Sequence, residues 1–61
     1  MKISEFIRKL KKQGIKFESH GTRHDWYYNP QNGKRTQIPR HQNQDIPKGL
    51  VERILKDLDL K

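Results

Sequence analysis

Within seven residues, HGTRHDW from His20 to Trp26, the chain sets out two imidazoles, a hydroxyl, a guanidinium, a carboxylate and an indole. Imidazole exchanges protons near neutral pH, and guanidinium binds phosphate oxygens through paired N–H bonds. His24 lies among cations: Arg23 beside it, Arg35 across an expected hairpin, and Arg40 past the third expected strand. Positive neighbours disfavour a further charge on the ring, and a neutral imidazole can accept a proton. These parts suffice for RNA transesterification. A base takes the ribose 2′-hydroxyl proton, and cations stabilise the charge that builds on the phosphoryl group. Gly21 lets the backbone turn sharply or approach a phosphate closely.

A plainer reading stands beside this one. A histidine at a strand start is most often structural or solvated, Gly21 and Thr22 are ordinary turn residues, and the cations can be a solvated face. His20, near the end of the first expected strand, is a second candidate base. His20, His24 and His41 match no metal-site spacing and have no carboxylate grouped with them, so neither a metal nor another cofactor is expected. Transesterification also needs an acid for the departing 5′-oxygen, and His41, a lysine or water could serve. Asp25 follows His24 directly, so strand alternation sends it to the opposite face and it is not cast as the orienting carboxylate.

The elements that must position these residues are legible from periodicity. SEFIRKLKKQG is a helix with Ile3, Phe6, Ile7 and Leu10 on one face, Ser4 as N-cap and Gly14 as stop. IKFES alternates, with Ile15 and Phe17 pointing one way and Lys16 and Glu18 the other. HDWYYN is a second strand, on which His24, Trp26 and Tyr28 share one face and Tyr27 takes the other. Asn32-Gly33 signals a hairpin, and KRTQIP is the return strand. RHQNQD is a polar loop. IPKGLVERILKDLDL is a second helix with Leu50, Val51, Ile54, Leu55 and Leu58 inward, Pro47 at its first position, and Gly49 as a mark of close contact. Helix, three antiparallel strands, helix implies an α+β layer with both helices on one face of a small sheet.

Composition narrows the class. The chain has 61 residues, so a single domain over 1–61 is expected, and 30% of them are hydrophobic. No cysteine offers a disulfide, and the reading is cytoplasmic. A core of this size leaves little net stability, which favours stabilisation by a partner. Fourteen Lys and Arg against seven Asp and Glu give +7 at pH 7, and the pI near 10.1 is the footprint of a nucleic-acid binder. A spanning helix, a signal segment and a lipid-binding amphipathic face are not seen, so a membrane partner is not expected.

The whole chain resembles the HicA family of toxins, mRNA interferases paired with HicB antitoxins. Four stretches carry the resemblance in order: SEFIRKLKKQG, GTRH, TQIPRH and IPKGLVERILKDLDL. It implies a double-stranded-RNA-binding-like α-β-β-β-α fold, cleavage of mRNA, and an antitoxin that covers the active site. It puts the catalytic histidine on His24, with Gly21 and Thr22 as its motif neighbours. Arg23 departs from the family, which often has His or Asn there. RNA contacts at Arg23, Arg35, Arg40 and His41 are inferred from charge and position. A non-catalytic module that only grips double-stranded RNA is the alternative, and a protein-interaction domain that attracts an acidic partner is a third reading. A pure binder has no need of a histidine at GTRH.

Overall fold

The computed structural model describes residues 1–60. Its elements are α1 (Ile3–Lys12), β1 (Lys16–His20), β2 (His24–Tyr28), β3 (Arg35–Pro39) and α2 (Lys48–Asp57), and the strands form one antiparallel sheet in the order β1-β2-β3. This is the expected α-β-β-β-α order.

The helical spacing of α1 buries Ile3, Phe6, Ile7 and Leu10 together. They join Tyr27 and Ile38 of the sheet, Ile54 of the second helix and Leu58 at its C-cap in one core, against which Leu50, Val51 and Leu55 pack partly buried. The two helix ends are closed alike. Gly14, at φ +95°, donates to Lys11 while Ile15 donates to Leu10. Asp59, at φ +58°, donates to Lys56 while Leu60 donates to Leu55. In both, a left-handed residue turns the chain and satisfies carbonyls that the helix leaves open.

The helix starts differ from expectation. Lys2, not Ser4, is the N-cap of α1, and no side chain caps it. The polar loop replaces the cap: carbonyls of Gln44 and Gln42 accept from the Ile3 and Ser4 amides at 2.9 and 3.2 Å. Pro47 is the N-cap of α2 rather than its first residue. A Cβ on Gly49 would meet nothing within 4 Å, so Gly49 marks no close contact. The β2–β3 hairpin is wider than Asn-Gly alone signals. Asn29 donates to Lys34, the Asn29 carbonyl accepts from Asn32 and Gly33, and Gly33 takes φ +74°.

β1 departs from simple alternation. Phe17 lies opposite Tyr27 and Ser19 opposite Trp26, so Glu18 is an extra residue in a bulge. Ile15, before the strand, is buried, whereas Phe17 is 42% exposed on an edge strand whose five residues are all exposed. Beyond the bulge the facing of the strand is reversed. His20, which alternation would have set on the face of Lys16 and Glu18, pairs with Asp25 and takes its face.

Candidate active site

β2 sorts its side chains by face. Asp25 and Tyr27 are buried, and His24, Trp26 and Tyr28 are half-buried. The buried face continues with Asn29, Thr36 and Ile38. The other face carries no core residue and lies open. His24 therefore sits at the first position of β2 on the open face, opposite Pro39 of β3.

The turn that delivers His24 is tight. The Gly21 amide donates to the His24 carbonyl at 2.8 Å, closing a loop over Thr22 and Arg23. A Cβ on Gly21 would lie 2.4 Å from that carbonyl oxygen, so only glycine fits without moving backbone. Arg40 fastens the same turn through a hydrogen bond from Nη2 to the Gly21 carbonyl. Its Nε donates to Asp25 Oδ1 at 2.9 Å, and His20 Nδ1 donates to the same oxygen at 2.9 Å. Burial alone would raise the Asp25 pKa. The hydrogen bonds from His20 and Arg40, with their charges, outweigh it and hold the carboxyl below its ordinary value. Asp25 is thus an anionic knot behind the turn. Burial, with the Asp25 charge nearby, raises the pKa of Tyr27.

The expected site residues divide into two groups. Gly21, Thr22, Arg23 and His24 come together on one turn, and Arg40 reaches that turn from the end of β3. Arg35 stands at the far end of β3, opposite Tyr28, and its head is engaged. Nη2 meets Glu18 Oε2 at 2.5 Å, and the guanidinium carbon lies 4.3 Å from the centre of the Trp26 ring. His41 is exposed in the loop after Arg40. The sequence reading grouped no carboxylate with the histidines, but cross-strand pairing sets Asp25 against His20. Among the described residues no three His, Cys, Asp or Glu side chains gather as a metal-ligand group, and no helix is long and apolar enough to cross a membrane.

Two groups were missed. The Arg40–Asp25 link has a signal in alternation: Thr36 and Ile38 face inward, so Arg40, two residues on, falls on the side of Asp25. The Arg35–Trp26 stack is a diagonal contact between β2 and β3, with Arg35 opposite Tyr28 and Trp26 opposite Gln37, and it follows from a register that residue types alone do not reveal. A concavity of about 380 Å³ lined by Lys11, Gly14, Ile15, Lys16 and Phe17 contains none of the expected site residues.

A family model described as HicA toxin of bacterial toxin-antitoxin matches residues 3–60. The chain is 46% identical over 61 residues to the "Probable mRNA interferase HicA 2" of Photorhabdus laumondii, covering 100% of both. It is 41% identical to the "Probable mRNA interferase HicA" of Pseudomonas fluorescens, covering 100% of this chain and 98% of that one. The crystal structure of the E. coli HicAB toxin-antitoxin complex contains a chain of the same fold, with TM-score 0.86 and 37% identity, over 98% of this chain and 100% of that one.

Proposed function

This chain belongs to the HicA family of bacterial toxins, and we propose that it is an endoribonuclease that cleaves mRNA without a metal, with His24 as its base. The observation that carries the reading is the delivery of His24 to an open sheet face by a turn that Gly21, Arg40 and Asp25 hold in place. The names of its relatives, mRNA interferases, supply the substrate.

The neutral His24 imidazole takes the 2′-hydroxyl proton. The 2′-oxygen attacks phosphorus, the bond to the 5′-oxygen breaks, and a cyclic phosphate and a 5′-hydroxyl result. Arg23 on the turn and His41 beyond β3 offer their heads to the phosphate, with the Thr22 hydroxyl alongside, while Gly21, whose amide and carbonyl are both engaged, shapes the turn that the phosphate approaches. Arg40 has Nε and Nη2 engaged and serves the site chiefly by holding the turn. Solvent on the open face protonates the departing oxygen.

The E. coli relative is part of a HicAB complex, and a HicB-type antitoxin is the proposed partner here, seated over His24. A net charge of +7 steers an acidic partner to it at low salt.

The test is cleavage of mRNA by the purified chain in excess EDTA. Full activity is expected. Activity lost in chelator and restored by one added metal contradicts the mechanism, and tight RNA binding with no cleavage would favour a non-catalytic double-stranded-RNA-binding module.

A further inference from the structure

We propose that Arg35 and Trp26 form a stacking platform on the open face that holds the unpaired base of a nucleotide flanking the scissile phosphate; this deepens, and rests on, the reading of His24 as the base of an RNA-cleaving site.

The placement comes first. Trp26 is two residues along β2 from His24 and on the same face, a step of about 7 Å on a strand. Its indole reaches back to the turn: Nε1 lies 3.7 Å from where a Cβ on Gly21 would stand. A nucleotide next to a phosphate held at His24 would therefore lie over Trp26.

The state of Arg35 says how the base would be held. Its guanidinium lies over the indole at 4.3 Å, and Glu18 binds its Nη2 at 2.5 Å. A guanidinium paired with a carboxylate has one edge occupied and its charge offset, so it is a poor phosphate clamp. Its flat surface is unaffected by that pairing. One side lies on Trp26, and the side chain is 50% exposed, which leaves the other side open to solvent. Guanidinium planes and aromatic rings are the surfaces on which splayed RNA bases stack. Glu18, in the β1 bulge, ties the guanidinium where it lies over the ring. A base in duplex RNA is covered by its neighbours and cannot use such a platform. The fitting substrate is RNA that is single-stranded at the cut.

The experiment crosses protein variants with substrate variants. A short single-stranded RNA whose cleavage position is mapped is made intact, and with an abasic ribose on either side of the scissile phosphate. Wild type and Arg35→Lys are assayed on each, with circular dichroism as the check on folding. Lysine keeps the charge and the Glu18 pair but has no plane. Wild type is expected to lose about tenfold in kcat/KM on one of the two abasic RNAs. Arg35→Lys is expected to lose a similar factor on intact RNA and little more on that abasic RNA, because the two changes remove the same contact. Trp26→Ala, where it folds, should behave as Arg35→Lys does. Abasic substrates cut as fast as intact RNA, full activity of Arg35→Lys, or losses that multiply would overturn the platform. The His24 reading survives any of those results, provided that His24→Ala removes cleavage. A wild-type chain that cuts no RNA overturns both.

Discussion

The two sides of β2 differ in what their polar groups do. On the buried side Asp25, Tyr27 and Asn29 hold the molecule together. Asp25 ties Arg40 and His20, and Asn29 donates to the Leu58 carbonyl at 3.0 Å and accepts from the Gln31 amide at 3.0 Å. Thr36 joins this side from β3 by donating to Asp57 Oδ2 at 3.1 Å. On the open side His24, Trp26 and Tyr28 support no core residue. One strand, read alternately, is scaffold and site. Substitutions on the buried side should therefore be read out in stability, and those on the open side in activity.

The largest expected break on the buried side is Asn29→Ala. It takes a partner from the buried Leu58 carbonyl and from the Gln31 amide at the point where α2 is anchored to the hairpin, although Asn32 also donates to Leu58 at 3.1 Å. The cost is about 2 kcal/mol, which lowers the melting temperature by roughly 10 °C in a domain of this size. Thermal melts measure the loss, and cleavage per folded molecule should be unchanged.

A smaller effect is expected at Asp25, and it depends on pH. Its folded pKa is lowered, so the carboxylate contributes stability above the unfolded value of about 4. That contribution disappears as pH falls through the folded value. Asp25→Asn should lose about 1 kcal/mol at pH 7, because Arg40 and His20 are partly exposed and water screens them. Its stability should then fall less than that of wild type in acid. Urea melts from pH 7 to pH 2 would show this, and parallel curves for the two proteins would mean that Asp25 is not the acid-sensitive knot. The smallest effect belongs to the open side: Gln37→Ala, opposite Trp26, should change stability by less than about 0.5 kcal/mol.

The elements were legible because each rests on a local signal. The spacing of Ile3, Phe6, Ile7 and Leu10 marks α1, and the alternation of His24 to Tyr28 marks β2. Gly14 was legible as a stop because the left-handed position after a helix favours glycine. The cap of α1 was not, because the carbonyls of Gln42 and Gln44 come from some forty residues along the chain. The turn at Gly21 was legible as a sharp approach, but its reason, the His24 carbonyl, is a contact made only on folding. The bulge at Glu18 hid the most. One inserted residue moved His20 to the face of Asp25, and no residue type at 17 to 19 announces it. The cations were visible from the start, yet which of them are already paired inside the fold was not.

The two histidines that open and close HGTRH now stand on opposite faces of the sheet, His20 bound to Asp25 and His24 on the open side. The most direct test of the account is RNA cleavage by His24→Ala and His20→Ala, with melting curves for both. The account predicts that His24→Ala loses at least about a hundredfold in rate, as removal of a general base should, and melts as wild type does. His20→Ala should keep its cleavage rate. Cleavage that survives in His24→Ala and is lost in a folded His20→Ala would place the base on the other face and contradict the account.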